Sequence, residues 1–305
     1  MANPVIKNKN RIWLILNICL IIILLSLSVY YFPALLQRYD LEKGCVVSFI
    51  DVGQGDSAVI QIKGGTNILI DGGELFYPGT QKNSFKRTLK KWLKKNKVRE
   101  FDLVIATHPH SDHIGGLTEI LKNYPVTTVI DHGYLHESFL YKDLLNTVKN
   151  KRIHVIKPVA GQELKISEDA KLLFLSPAKE NVFDDLNENS LVTKFIYKNI
   201  SFLFTADVGY DAERWMIKNL EDYLKSDVLK VGHHGSSTSS SALFIKAVSP
   251  KLSVISCGRN NPHNHPEVQV LDVLENENTK VFRTDLHGTV TVFTDGEDVT
   301  VKTEK

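Results

Sequence analysis

The pattern of apolar and polar positions divides the chain into two unequal parts. Residues 12–32 are almost wholly apolar and carry no charge. About 20 residues rising 1.5 Å each cross the hydrocarbon core of a bilayer, so this run predicts one transmembrane helix. Trp13 at one end and Tyr30 and Tyr31 at the other suit the two interfaces. Lys7, Lys9 and Arg11 precede the run, whereas Arg38 and Lys43 beyond it are offset by Asp40 and Glu42. The positive-inside rule then puts residues 1–11 in the cytoplasm and the remainder outside the cell. The run is long for a signal peptide and no small-residue cleavage site follows it, so an uncleaved anchor is expected. Residues 33–44 read as a polar linker.

From residue 45 the pattern is globular. Strands are predicted at 46–50, 57–63 and 67–70, the last two joined by Gly64-Gly65. A helix at 85–97 precedes a strand at 102–106, and another helix runs to about 123. Strands at 126–130, 153–156 and 172–175 enclose a helix at 137–149. A second hairpin, 191–197 with 201–205, turns at Lys198-Asn199. Then come a helix at 212–224, a strand at 228–231, a helix at 240–248, a strand at 252–256, a helix at 267–276, a strand at 280–283 and a closing hairpin at 288–301. Each half opens with an antiparallel hairpin and continues as strand–helix alternation. The expectation is one α/β domain over 45–305 with two mixed sheets, each covered by helices on its outer face.

Composition adds limits. The 305 residues are 43% hydrophobic and 24% charged, ample for a large core. The net charge of +2 gives no global signature of a nucleic-acid binder, so any basic surface is local. The helix at 85–97 is such a place, with Lys86, Arg87, Lys90, Lys91, Lys94, Lys95 and Lys97. A face of this kind contacts phosphates or anionic lipid, or is simply solvated. Cys19, Cys45 and Cys257 are far apart and form no C-x-x-C pair, so buried free thiols are expected rather than a disulfide or a cysteine metal site.

The chemistry centres on Thr107-His108-Pro109-His110-Ser111-Asp112-His113, directly after the apolar strand 102–106. Imidazole and carboxylate are the ligands of a hydrolytic zinc or manganese site, and ligands at a strand end can converge without distorting the sheet. Three further strands end in the same style, at Asp71-Gly72-Gly73, at Ala206-Asp207 and at Gly232-His233-His234-Gly235-Ser236-Ser237. Singly, Asp71 or Asp207 would be a turn former or helix cap. Together with the histidine loop they point to one shared two-metal site. Asp51-Val52-Gly53-Gln54-Gly55-Asp56 lacks the Gly-Lys-Ser/Thr ending of a phosphate loop and reads as an architectural turn or an edge of the substrate site.

These motifs resemble the metallo-β-lactamase superfamily. The Asp51–Asp56 run, Gly232-His233-His234-Gly235-Ser236, His265-Pro266 and Arg283-Thr284-Asp285 with Gly288 are similar to the extracellular hydrolase domain of ComEC-like competence proteins. The resemblance implies an αββα four-layer sandwich and two divalent metals, zinc foremost and manganese as the alternative. By resemblance, His108 and His110 hold one metal, Asp112, His113 and His233 hold the other, and Asp207 bridges them. Asp71 would orient the loop by hydrogen bonds. The histidine that many members add to the first metal is missing from Asn187–Val192, which leaves Asn189, Ser190, water or substrate to complete it. Asp112 or Asp207 would orient a metal-bridging hydroxide. His234 and His265 would protonate the leaving group or grip a phosphate, and Ser236 and Ser237 would bind a phosphate oxygen. The expected function is a membrane-anchored, metal-dependent phosphodiesterase or nuclease acting outside the cell on DNA or another phosphodiester. The alternatives are hydrolysis of another envelope ester or amide, and a non-catalytic module binding DNA or polymer.

Overall fold

A computed structural model describes residues 44–76, 83–178 and 183–305, together with positions 13, 16–23 and 26 of the amino-terminal run. Those amino-terminal positions are helical, and Trp13, Leu16, Ile18 and Leu20 to Ile23 expose their side chains. No helix among the described residues is long and apolar enough to cross a membrane. Most of the predicted span 12–32 lies outside the described residues, as does the linker 33–43, so the anchor remains a reading of the sequence.

Two sheets face one another. The first contains β1 (Cys45–Phe49), β2 (Ala58–Ile62), β3 (Asn67–Ile70), β4 (Phe101–Ala106), β5 (Val126–Asp131) and β6 (His154–Ile156). The second contains β7 (Glu163–Lys165), β8 (Ala170–Phe174), β9 (Thr193–Tyr197), β10 (Ile200–Phe204), β11 (Val228–Lys230), β12 (Leu252–Ile255) and β13 (Lys280–Arg283). The closing hairpin, β14 (Val290–Thr294) and β15 (Val299–Thr303), returns to the first sheet beside β1. The strand orders are β15-β14-β1-β2-β3-β4-β5-β6 and β13-β12-β11-β10-β9-β8-β7. In each sheet an antiparallel half adjoins a parallel half, β3 to β6 in one and β10 to β13 in the other.

The alternation of side chains along each strand explains the layers. Val47, Phe49, Ile60, Ile68 and Ile105 of the first sheet pack between the sheets against Phe174, Phe195, Phe202, Phe204 and Val254 of the second. Phe49 and Phe204 stack across that interface with ring centroids 5.7 Å apart. Their neighbours point outward. Val59, Leu69 and Val104 meet Phe85, Leu89, Leu93, Leu117 and Leu144 on the helices over the first sheet. Leu203, Leu229 and Ile255 meet Met216, Phe244, Ile245 and Leu274 over the second. A strand buried on both faces reads as a continuous apolar run, which is why the parallel strands were conspicuous in sequence.

Local departures have local causes. The predicted helix 85–97 breaks at Thr88 into Ser84–Arg87 and Leu89–Lys95. The Thr88 hydroxyl donates to Ser84 O at 2.7 Å, and its backbone leaves the helical region. The helix after the histidine loop is likewise two pieces, Ser111–Ile114 and Leu117–Asn123. At the junction a Cβ on Gly116 would lie 2.2 Å from Gly72 O, so the close approach of two backbones requires glycine there. β7 was not foreseen from sequence because it is short, polar and at a sheet edge. Cys45 and Cys257 are buried free thiols.

Candidate metal centre

The parallel strands of both sheets end on the same side of the sandwich. At three of these ends the chain turns sharply through left-handed residues: Asp71 (φ 56°), Ala206 (φ 47°), and the pair His233 and His234 (φ 47° and 55°). Left-handed backbone is costly for residues with a Cβ and persists where the surroundings enforce it. Here these turns deliver Asp71, Asp207 and His234 to the loop His108–His113.

Asp112, His113, Asp207 and His234 converge, each offering a ligand atom within 4.8 Å of the others. His113 Nε2 lies 3.1 Å from Asp207 Oδ2, His234 Nε2 lies 3.2 Å from Asp112 Oδ2, and His234 Nε2 lies 3.4 Å from Asp207 Oδ2. Ligand atoms about 2.0–2.1 Å from a tetrahedral ion are about 3.3 Å apart. The three separations therefore match edges of one coordination tetrahedron. His113 Nε2 is buried without a hydrogen-bond partner, as expected of a group aimed at an ion. The second group is sparser. His108 Nε2 and His110 Nδ1 are 3.1 Å apart, again close to a tetrahedral edge, and His108 Nε2 is 3.8 Å from the same Asp207 Oδ2. One carboxylate oxygen is thus shared by two ligand sets, so the residues fit a two-metal centre of aspartate and histidine.

Behind the ligands, Asp71 accepts from Thr107 N at 3.0 Å, from the Thr107 hydroxyl at 2.6 Å and from His113 Nδ1 at 2.8 Å. It fixes both the loop and the ring that presents Nε2. The sequence reading missed two further residues. Asp56, at the end of the glycine-containing turn after β1, is buried and ion-paired with the buried Lys230 of β11. The Asp56 carboxylate also faces His234 Nδ1 at 3.4 Å, and Lys230 donates to Ala206 O at 2.9 Å while lying 3.9 Å from Asp207 Oδ1. The available signal was a lone lysine in the apolar strand Val228-Leu229-Lys230-Val231, since an unpaired charge is not buried. Asp56, Asp71 and His113 also bring ligand atoms within 4.8 Å of one another, but Lys230 already holds Asp56.

The centre thus gathers four carboxylates, Asp56, Asp71, Asp112 and Asp207, and Lys230 is paired with Asp56 and lies 3.9 Å from Asp207 Oδ1. Burial disfavours charge on His113, yet Asp207, Asp71 and Asp112 hold its pKa well above the usual histidine range. His234 is raised in the same way, burial being overcome by Asp207 and Asp56. Burial and the neighbouring His113 push His108 down. Burial opposes ionisation of Asp207, but His113 and His234 hold it well below the usual carboxylate range.

Several residues expected at the site have different surroundings. His234, expected to serve the leaving group or a phosphate, occupies the corner of the cluster expected of His233. His233 is half-buried, 3.9 Å from Asp207 Oδ2, and bonded through Nδ1 to Thr238 Oγ1 at 3.3 Å. The consecutive left-handed residues turn the second imidazole inward and leave the first partly exposed to solvent. His265 stands beside His233 with ring centroids 5.8 Å apart, and His263 stacks on His265 at 5.5 Å. Burial, with His234 and His233 nearby, lowers the His265 pKa to about 4, so this ring is neutral at physiological pH. Ser237 donates both its N–H (2.9 Å) and its hydroxyl (2.8 Å) to Glu267, so a carboxylate already fills the place foreseen for a phosphate oxygen. The Ser236 hydroxyl bonds Thr238 Oγ1 at 3.0 Å. The Asn189 amide is committed to Phe183 O and Asp185 O within its own loop. The Ser190 hydroxyl is buried and unpartnered, and Leu191 N, the next residue, donates to Thr107 O at 2.9 Å. Ser190 is therefore next to the sparse side of the centre.

The sequence profile of the metallo-beta-lactamase superfamily matches residues 50–259. The chain belongs to this superfamily, and its fold and site are those of a metal-dependent hydrolase. Among curated relatives, ComE operon protein 3 of Bacillus subtilis is 32% identical over 80% of this chain and 32% of its own length. Competence protein ComA of Neisseria gonorrhoeae is 30% identical over 63% of this chain and 25% of its own length. Recombination protein 2 of Haemophilus influenzae is 28% identical over 96% and 33%. The chain spans a quarter to a third of the length of these relatives. Among solved structures, a metallo hydrolase from the archaeon Ignicoccus hospitalis has a TM-score of 0.50 and 17% identity, covering 81% of this chain and 98% of that one. CmlA, a diiron β-hydroxylase from Streptomyces venezuelae, has a TM-score of 0.54 and 14% identity over 83% and 54%. At such identities the likeness shows the fold alone.

Proposed function

We propose that this chain is a metal-dependent phosphodiesterase or nuclease, held at the membrane by residues 12–32 with its centre outside the cytoplasm. The observation that carries the catalytic reading is the Asp207 Oδ2 atom, common to the His108 set and to the His113 and His234 set. Two divalent ions held by these residues would lower the pKa of a bound water and neutralise charge developing on a phosphoryl oxygen. His108, His110 and Asp207 would hold one ion, with Ser190 beside them. Asp112, His113, His234 and Asp207 would hold the other.

The remaining residues define what the cleft binds. His233, His265 and His263 form a row leading away from the ligands, two of the rings half-buried and the third exposed. The lowered pKa of His233 and of His265 leaves each of these two imidazoles neutral, with one N–H to offer a non-bridging phosphodiester oxygen. His234 is buried among the ligands and His233 is held neutral by burial, so leaving-group protonation falls to water. A competence protein and a recombination protein among the relatives favour DNA as the diester.

The test is turnover of single-stranded DNA, duplex DNA, bis-p-nitrophenyl phosphate and a β-lactam by the zinc- and manganese-loaded protein. Hydrolysis of the phosphodiesters and not of the β-lactam is expected. A second reading, a non-catalytic DNA-binding module, draws on the missing histidine of the first ligand set. It would show DNA retention without products, unaffected by chelation.

A further inference from the structure

The basic segment noted in the sequence has no part in the metal centre. Between Ser84 and Arg99 lie eight cations and no carboxylate, in a chain whose net charge is only +2. The rest of the molecule is therefore net acidic, and this segment is the exception. In the fold, Lys90, Lys94, Lys97 and Arg99 line a groove of about 460 Å³ closed by Val98, Asn123 and Tyr124. All four cations are exposed, and none forms an ion pair among the described residues. Lys151 and Arg152, at the end of the helix Phe139–Lys151, add to the same side.

The position of this groove matters as much as its charge. Arg99 leads into the amino-terminal end of β4, whereas the ligands follow its carboxyl end, six residues and about 20 Å away. β1 is antiparallel to β2 and β2 to β3, while β3 and β4 are parallel. Cys45, where the domain begins, is therefore on the groove's side, three strand spacings or about 15 Å from Phe101. Gly44 is held there by Lys63 N at 2.9 Å. The residues that follow the predicted anchor enter the domain at this end.

We infer that the groove lined by Lys90, Lys94, Lys97 and Arg99 docks on anionic phospholipid headgroups, so that the metal centre points away from the bilayer. Tyr124 at its rim is the amphipathic aromatic favoured at headgroup depth. Lysines clustered on one face are attracted to a leaflet surface that carries anionic headgroups, an attraction screened within about a Debye length. The inference rests on the anchored reading above, and the two fail separately.

The experiment uses the full chain in vesicles of phosphatidylcholine, with and without phosphatidylglycerol. Amine acylation rates of individual lysines are read by mass spectrometry. Acylation of Lys90, Lys94 and Lys97 slows at least about fivefold in the anionic vesicles, while the exposed Lys218 of the opposite helical layer is unchanged. High salt abolishes the difference. The variant R99E loses protection of the three lysines, yet retains bis-p-nitrophenyl phosphate turnover. Equal acylation in both vesicles overturns the inference, as does protection by duplex DNA and not by phosphatidylglycerol. Alkaline carbonate extraction reads the anchor alone: a chain released by carbonate removes the anchored reading, and one retained but equally acylated removes only the docking surface.

Discussion

His234 and His233 are adjacent in sequence, and only geometry separates their roles. His234→Ala removes a corner of the better-furnished cluster, and the account predicts loss of one metal per chain and at least about a 1000-fold fall in kcat. His233→Ala keeps metal stoichiometry, measured by elemental analysis, and raises KM or lowers kcat by about 10–100-fold. Sequence alone could not choose between them, because the choice is made by the left-handed backbone of both residues. Lys230 was similarly hidden. Lys230→Met leaves Asp56 buried without its partner and costs about 3–5 kcal/mol in denaturant unfolding, whereas adding Asp56→Asn restores most of the loss. Glu213 supplies a pH effect away from the ligands. It is buried, accepts from Ser241 N at 2.9 Å and from Ser240 N, and burial raises its pKa to about 7. Its folded-state value exceeds the unfolded one near 4.5, so its contribution is full below pH 4.5 and is lost as pH rises through 7. Thermal unfolding is expected to lose on the order of 3 kcal/mol of stability from pH 4.5 to pH 8 in wild type relative to Glu213→Gln.

At the scale of elements, the strands flanking the centre were legible because burial on both faces makes them continuous apolar runs ending in polar loops. Thus β3, β4 and β10 pointed to Asp71, the histidine loop and Asp207. The turn between β1 and β2 was less legible. Its glycines suggested architecture, yet its last residue, Asp56, reaches the centre. Gly55 explains how: its φ is 126° and a Cβ there would lie 2.2 Å from Asp112 O. The turn and the histidine loop therefore touch backbone to backbone, and Asp56 N donates to Asp112 O at 3.1 Å. Gly55→Ala is predicted to displace Asp112, with metal affinity falling at least about tenfold while circular dichroism stays that of the folded protein. Unchanged affinity by calorimetric titration would separate the turn from the site. β7 and the break at Thr88 were not legible, since a three-residue polar edge strand and a single side-chain hydrogen bond leave no periodic trace.

At the scale of the molecule, two half-sandwiches of similar style bring their parallel strand ends to one edge. The centre is a property of the pairing, with His108 to His113 from one sheet and Asp207 and His234 from the other. The opposite end of the first sheet carries the lysine-lined groove and the start of the domain, which gives the molecule a direction. The most direct measurement of the account is metal stoichiometry and phosphodiester turnover followed together as zinc or manganese is titrated into the metal-free chain. The predicted result is two ions per chain, with hydrolysis of bis-p-nitrophenyl phosphate and DNA rising as the second ion binds. Two bound ions with no hydrolysis of any phosphodiester would contradict it.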